Sequence, residues 1–151
     1  MKLGDLFCCS RPYDKKRCTL ISCMICPKLP EGLNCAMMCP VYLITCKICK
    51  QQYVGESCRS LHDRLSEHLR FATNADAPSY KEEAMAIHYR QYHPGIAPDL
   101  GFELIRTESD TILRKIYEAY FIFNLKPEMN DKEECKLLQR FLVKGDVIVL
   151  N

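Results

Sequence analysis

Two tyrosines and two cysteines lie within one short segment of this chain, residues 41–55. The segment reads Val-Tyr-Leu-Ile-Thr-Cys-Lys-Ile-Cys-Lys-Gln-Gln-Tyr-Val-Gly, so two β-type runs with one tyrosine each flank a turn that holds Cys46 and Cys49. A β-hairpin of this kind brings Tyr42 and Tyr53 onto adjacent strands. The two phenols are then close enough to serve one reaction site.

An arginine and a histidine follow the hairpin on a predicted helix, Ser60 to about Ala72. Ser60 can cap this helix with Asp63 as its capping-box partner, and leucines recur every four residues along one face. Arg64 and His68 are also four residues apart and border the leucine stripe. A polar side chain at that border can emerge from the core edge toward the tyrosines. The alternative is an Arg/His pair that faces solvent.

A second helix is predicted from Tyr80 to Tyr92, and it ends beside a histidine. Zinc prefers four nitrogen or sulfur ligands in a tetrahedron, and zinc fingers combine a Cys-x-x-Cys pair with two histidines three to five residues apart. The cysteine pair of the hairpin turn and the two histidines of this helix meet that rule. The alternative is a terminal helix histidine and an unrelated thiol pair. The expected structural zinc site consists of Cys46, Cys49, His88 and His93.

The N-terminal stretch, residues 1–39, is rich in cysteine and interrupted by prolines and a glycine. It is too small to hold a core alone, so we expect an appendage of a domain that spans residues 40–151. A bound metal would supply folding free energy to such a segment, and buried free cysteines are the alternative. The candidate ligands of this second zinc are Cys18, Cys23, Cys26 and Cys35, with Cys8, Cys9 and Cys39 as substitutes.

Eleven cysteines among 151 residues are compatible with disulfides or with metal sites. The first residues contain no apolar signal-peptide segment, and no run is long enough to span a membrane. Without a secretory signal, Cys-x-x-Cys spacings favour thiolate metal sites, and the odd number of cysteines disfavours a fully paired disulfide set. We therefore expect an intracellular protein rather than a secreted disulfide-rich one.

A third predicted helix, Thr111 to about Leu125, is apolar on nearly every side beyond Glu118. A helix that is apolar all round is buried, and a buried carboxylate must be protonated, paired or bound to a cation. Arg114, one turn earlier, is the partner that an ordinary i,i+4 ion pair would use. Asn130 follows the next turn and can cap a final helix.

The order of these motifs resembles the GIY-YIG nucleases, which are named for two tripeptides on neighbouring strands. The counterparts here are residues 40–42 (Pro-Val-Tyr) and residues 53–55 (Tyr-Val-Gly). The cysteine pair in the turn, the Gly-Glu-Ser that ends the hairpin and the Arg-x-x-x-His helix are similar in particular to the endonuclease module of Penelope-like retroelements. Pro40 departs from the usual glycine, and Glu56 stands where DNA-repair relatives carry lysine.

The resemblance implies a metal-dependent DNA endonuclease that hydrolyses phosphodiester bonds and nicks target DNA. Glu118 would hold a single Mg²⁺ or Mn²⁺, and Asn130 would help to shape the phosphate site. Arg64 suits a phosphate oxygen, and a tyrosine beside a histidine suits the positioning or deprotonation of water. The implied catalytic set is Tyr42, Tyr53, Arg64, His68, Glu118 and Asn130.

The expected fold is α+β, a small antiparallel three-stranded sheet flanked by helices as in GIY-YIG nucleases, with a cysteine-rich N-terminal appendage. The net charge of +2 is only mildly basic, so positive charge directed at DNA must be local. We expect a nuclear protein without a membrane partner. The alternative function is an inactive, zinc-stabilised nucleic-acid-binding module derived from a retroelement. The residues expected to contact DNA are Arg59, Arg64, Lys15, Lys16 and Arg17.

Overall fold

The computed structural model describes residues 18, 20 and 22–131. The final helix that Asn130 could cap lies outside these residues, as does the basic cluster of Lys15, Lys16 and Arg17. In the part that is described, no helix combines the length and apolarity that a membrane span requires.

Three strands and three helices build the described chain. Their bounds are Pro40–Cys46 (β1), Gln52–Glu56 (β2), Leu61–Thr73 (α1), Ala84–Tyr92 (α2), Leu100–Thr107 (β3) and Thr111–Leu125 (α3). The strands pair antiparallel, with β1 in the centre between β2 and β3. The protein is therefore α+β with a small three-stranded antiparallel sheet, as the sequence predicts.

The β1–β2 hairpin places both tyrosines on one face of the sheet. Tyr42 lies opposite Gly55, and Tyr53 lies opposite Ile44. Because side chains alternate between faces along a strand, Tyr42 and Tyr53 project to the same side. That side packs on α1 and α2 in the larger core cluster, whereas the opposite side packs on α3.

The cap of α1 follows the sequence prediction, and α3 also begins with a polar capping residue. The hydroxyl of Ser60 accepts the N–H of Asp63 at 3.1 Å, so the first turn of α1 is capped as expected. At the start of α3, a carboxylate oxygen of Asp110 accepts the N–H groups of Ile112 and Leu113. Local sequence therefore determines where these two helices begin.

The prediction for α2 is wrong at its N-terminal end. The helix begins at Ala84 instead of Tyr80, because Glu83 has an extended backbone. Residues 78–80 form a separate 3-10 turn that begins with a proline. The C-terminal end at Tyr92 is confirmed, and it places a histidine at the cap position.

Part of the cysteine-rich segment packs into the main core. Ile25 is fully buried and Cys35 is 3% exposed, and both belong to the cluster that contains Tyr42. The segment therefore contributes apolar packing to the domain that the sheet and helices form. The boundary between residues 39 and 40 stays a prediction.

Candidate active site and metal centres

The hydroxyl group of Tyr42 is the centre of a buried hydrogen-bond network. Its oxygen lies 2.8 Å from Nε2 of His68 and accepts a hydrogen bond from Nε of Arg64 at 3.0 Å. Tyr42 is fully buried and His68 is 2% exposed, whereas Arg64 reaches solvent. The i,i+4 spacing on α1 thus brings an imidazole and a guanidinium onto one phenol of β1.

Tyr53 and Gly55 complete this side of the hairpin. The ring centroid of Tyr53 lies 5.3 Å from that of His68, and the centroid of Tyr42 lies 5.6 Å from it. A Cβ atom at Gly55 would lie 2.5 Å from the Tyr42 hydroxyl oxygen, which is closer than packed atoms approach. The glycine of the Tyr-Val-Gly tripeptide therefore leaves the space that the opposite phenol occupies.

Glu67 joins two of the arginines that the sequence indicates. Its carboxylate accepts two hydrogen bonds from Arg59, at 2.8 and 2.6 Å, and one from Nη1 of Arg64 at 2.9 Å. The hydrogen bonds from Arg59, and then those from Arg64, lower the pKa of Glu67 to about 2. The sequence analysis missed Glu67, although its i,i+3 spacing from Arg64 was a usable signal.

Burial sets the protonation states of the two central groups. Burial, and after it the neighbouring Tyr53, raises the pKa of Tyr42 well above its usual range. Burial and the charge of Arg64 lower the pKa of His68 to about 3. At neutral pH the pair is a neutral phenol and a neutral imidazole. Nδ1 of His68 is buried and has no hydrogen-bond partner among the described residues.

Glu118 lies on α3, which packs on the face of the sheet opposite to the two tyrosines. The side chain is only partly buried, although the sequence predicts a buried carboxylate. Its charge contributes to the raised pKa of Tyr42, after burial and Tyr53. The carboxylate is therefore within electrostatic range of the phenol.

Arg114, which the sequence offers as an i,i+4 partner of Glu118, binds an acid on a neighbouring strand. Its Nε donates to the carboxylate of Glu56, and its Nη1 donates to the carbonyl oxygen of Glu108 at 3.1 Å. Arg114 is 2% exposed, so this ion pair joins α3 to the end of β2 inside the protein. The unusual glutamate at position 56 thus has a structural role that the sequence did not reveal.

Asn130 lies along the open edge of β2. Its Oδ1 accepts the N–H of Val54 and its Nδ2 donates to the carbonyl oxygen of the same residue, both at 2.8 Å. The N–H of Met129 also donates to the carbonyl oxygen of Gln52 at 3.1 Å. This segment covers a strand edge that would otherwise expose backbone groups. The contacts give Asn130 a structural role, and its catalytic role stays a prediction.

The two cysteines of the hairpin converge with a histidine of α2 and the histidine at the C-cap of that helix, as the sequence predicts. Sγ of Cys46 lies 3.6 Å from Nε2 of His93, and Sγ of Cys49 lies 3.5 Å from Nε2 of His88. All four ligand atoms are within 4.8 Å of one another. Tetrahedral zinc with its usual bond lengths separates ligand atoms by roughly 3.3–3.8 Å. This Cys2His2 cluster could therefore bind a structural metal such as zinc.

Tyr89 supports the Cys2His2 cluster from α2. Its hydroxyl oxygen lies 3.5 Å from Sγ of Cys46 and accepts the N–H of Asp99 at 3.1 Å, which leaves the phenolic proton to donate to sulfur. Burial opposes ionisation of Cys46, but hydrogen bonds from Tyr89 and from the turn backbone lower its pKa. These hydrogen bonds favour the thiolate that a metal requires. The sequence analysis missed Tyr89 because the contact joins distant elements.

A second group, the four-thiol cluster, consists of Cys18, Cys23, Cys26 and Cys35. Sγ of Cys35 lies 3.5 Å from that of Cys18 and 3.7 Å from that of Cys23. All four sulfur atoms are within 4.8 Å of one another. These separations also match a tetrahedral site, so the four-thiol cluster could bind a structural metal such as zinc.

The remaining residues that the sequence analysis proposed as metal ligands or DNA contacts lie elsewhere in the structure or outside the described residues. Cys39, a proposed substitute ligand, lies outside the four-thiol cluster and is disulfide-bonded. Arg59, proposed to contact DNA, forms a surface ion pair with Glu67. Beyond the described residues lie Cys8, Cys9, Lys15, Lys16 and Arg17.

No family model matches the chain, and comparisons with curated proteins and with solved structures give no match either. The α+β fold with its three-stranded sheet and the two cysteine and histidine clusters are observed in the structure. The GIY-YIG resemblance rests on the order of the sequence motifs.

Proposed function

We propose that the protein is a metal-dependent DNA endonuclease of the GIY-YIG type, similar to the module of Penelope-like retroelements, with nuclear DNA as its substrate. The observation that carries the proposal is the contact of one phenol, Tyr42, with the guanidinium of Arg64 and the imidazole of His68. Phosphodiester hydrolysis requires groups that bind a phosphate and groups that move a proton. This arrangement supplies both kinds of group.

Arg64 binds a non-bridging phosphate oxygen in this proposal. Its Nε is fixed by the hydroxyl of Tyr42 and its Nη1 by the carboxylate of Glu67. A guanidinium that is already oriented loses little conformational freedom when it binds an oxyanion. Glu67 is thus a positioning residue for the phosphate contact.

Tyr42 and His68 form the proton path. The Tyr42 oxygen takes a proton from the attacking water as its own proton passes to Nε2 of His68, 2.8 Å away. The low pKa of His68, about 3, opposes this transfer in the free protein. A bound phosphate beside the imidazole favours its charged form and raises that pKa. Tyr53, against the same imidazole, donates a hydrogen bond to the phosphate or to the water.

Glu118 is the proposed ligand of Mg²⁺ or Mn²⁺. A partly buried carboxylate whose charge reaches Tyr42 suits a hard, oxygen-binding cation. When bound, the cation supplies charge stabilisation for the phosphate and the leaving 3′ oxygen.

Zinc in the Cys2His2 cluster has a structural role in the proposal. Cys46 is the last residue of β1, the strand that carries Tyr42, and His88 lies within α2. Their shared metal would join the hairpin to the helix and add folding free energy.

Nicking of supercoiled plasmid tests the proposed function. Glu118→Ala and Tyr42→Phe are compared with controls at exposed positions, Glu82→Ala and Tyr92→Phe. We expect Mg²⁺- or Mn²⁺-dependent nicking by the wild type and both controls, and a loss of about 100-fold or more in the two site variants. Equal nicking by the wild type and Glu118→Ala would contradict the proposal.

A second candidate is a zinc-stabilised nucleic-acid-binding module without catalytic activity. The full burial of Tyr42, whose hydroxyl already has two protein partners, favours this candidate. Zinc-loaded protein that shifts DNA in a gel but nicks none of it under any metal condition would support this module over the nuclease.

A further inference from the structure

Helix α1 begins directly on the cysteine-rich segment. The first N–H groups of a helix have no acceptor within the helix itself. Here the N–H of Leu61 donates to the carbonyl oxygen of Met37 at 2.9 Å, and the N–H of His62 donates to the carbonyl oxygen of Cys35 at 2.7 Å. The backbone of the cysteine-rich segment thus supplies acceptors for two first-turn amides of α1.

Cys35 takes part in both the cap of α1 and the four-thiol cluster. Its carbonyl oxygen accepts the N–H of His62, while its Sγ lies among the other three sulfur atoms. The side chain of His62 makes a second contact with the cluster, since its Nδ1 lies 3.8 Å from Sγ of Cys23. A metal bound to the sulfur atoms would fix the residue that caps the helix.

Regular backbone structure is sparse in the described part of this segment. It consists of the 3-10 turn at Cys26–Lys28 and an isolated bridge between Met38 and Ser60. Side-chain contacts must therefore supply most of its order, and four metal–sulfur bonds are stronger constraints than packing alone.

We propose that zinc bound in the four-thiol cluster holds in place the carbonyl groups that accept the first amides of α1. Occupancy of this site then controls the order of the first helical turn. Arg64, Glu67 and His68 follow within the next two turns, and their positions depend on that turn. The proposal concerns metal binding and helix order, and it is independent of nuclease activity.

Zinc content and amide hydrogen exchange of the full chain test this proposal. Cys23→Ser/Cys26→Ser removes two thiols of the cluster, and Cys58→Ser, at an exposed cysteine outside it, is the matched control. We expect two zinc ions per chain in the wild type and the control and one in the double variant, since the described residues contain two clusters. Exchange at Leu61 and His62 should accelerate about tenfold or more in the double variant, with exchange in β1 unchanged.

A conservative variant separates metal binding from loss of the cysteine. Cys26→His leaves a Cys3His set that zinc also accepts, so it should keep both zinc ions and the protection of both amides. A double variant that keeps two zinc ions, or that loses one while Leu61 and His62 exchange at the wild-type rate, would overturn the proposal. If β1 also loses protection in the double variant, the single variant Cys18→Ser is measured instead. Two retained zinc ions, or one lost zinc ion with wild-type exchange at Leu61 and His62, would again overturn the proposal.

Discussion

At Tyr42, three residues from two neighbouring elements constrain a single hydroxyl group. Arg64 and His68 contact the hydroxyl from α1, and Gly55 leaves the space for it on the adjacent strand. A glycine in a strand usually weakens the strand, so its presence here indicates a close approach by another group. The identity of residue 55 is therefore tied to the position of the phenol.

Gly55→Ala should displace the Tyr42 phenol. The new Cβ would meet the hydroxyl oxygen at 2.5 Å and the ring carbon Cζ at 2.6 Å, and the ring itself is fully buried. We expect the free energy of unfolding to fall by about 1–3 kcal/mol and nicking to be lost. Urea denaturation measures the first effect.

The control for this substitution is Gly101→Ala on β3. Its Cβ would meet the flexible stem of Lys47 at 3.2 Å and the carbonyl oxygen of Thr45 at an ordinary contact distance of 3.9 Å, so the free energy of unfolding should change by less than about 1 kcal/mol. Equal stability of the Gly55→Ala and Gly101→Ala variants would show that the phenol does not occupy the space beside Gly55.

Glu67→Gln should show a pH-dependent loss of stability. The folded-state pKa of Glu67 is lowered to about 2 from an ordinary value of 4.5. Because the folded-state pKa is depressed, the stabilisation is complete above pH 4.5 and is lost as the pH falls toward 2.

We therefore expect the Glu67→Gln variant to be about 1 kcal/mol less stable than the wild type at neutral pH, a small value because the network is partly solvated. The difference in the free energy of unfolding between the two proteins should disappear as the pH falls from 4.5 to about 2. Urea denaturation across that range measures it. A difference that stays constant into the acid end would contradict the proposed network.

Among the elements, β2 depends on contacts along its open edge and at its C-terminal end. Asn130 pairs with the backbone of Val54 along the open edge, and Arg114 of α3 pairs with Glu56 at the end of the strand. The position of Tyr53, which β2 carries, therefore depends on two residues that the sequence analysis assigned to other roles.

Asn130→Ala should destabilise the protein, because two hydrogen bonds to Val54 are lost. We expect a decrease of about 1–3 kcal/mol in the free energy of unfolding. Thermal denaturation with nicking assays compares the two roles: an Asn130→Ala variant with wild-type stability and no activity would refute the structural role in favour of a catalytic one.

Some elements were predictable because their signals are local. The hairpin follows from two β-type runs around a turn, and α1 follows from the Ser60 cap and the leucine repeat. The start of α2 was not predictable in this way, because the extended backbone at Glu83 interrupts a segment of ordinary helix formers. The backbone conformation of a single residue such as Glu83 depends on its tertiary contacts.

For the whole molecule, the sequence indicated the two metal-ligand clusters but not the ion pairs. Ligand spacing follows a chemical rule, so cysteines and histidines far apart along the chain could be grouped correctly. The pair of Arg114 with Glu56 follows no spacing rule and depends on how α3 crosses the sheet. The placement of Glu118 relative to Tyr42 also depends on how α3 crosses the sheet, so no spacing rule predicts it.

Removal of zinc should weaken the whole fold. The Cys2His2 cluster joins the β1–β2 turn to α2, and the four-thiol cluster holds the segment that caps α1. We expect a chelator to lower the melting temperature by about 10 °C or more, with recovery when zinc is added back. An unchanged melting temperature after complete removal of zinc would contradict a structural role for either site.

The central claim of the proposed function is that Glu118 holds a cation within electrostatic range of Tyr42. Paramagnetic Mn²⁺ broadens the NMR signals of nearby groups, so a titration of the full chain with Mn²⁺ locates the bound ion. We predict that the ring signals of Tyr42, Tyr53 and His68 broaden as Mn²⁺ is added, and that Glu118→Gln requires at least about tenfold more Mn²⁺ for the same effect. Equal broadening of these rings in the wild type and in Glu118→Gln would contradict the claim.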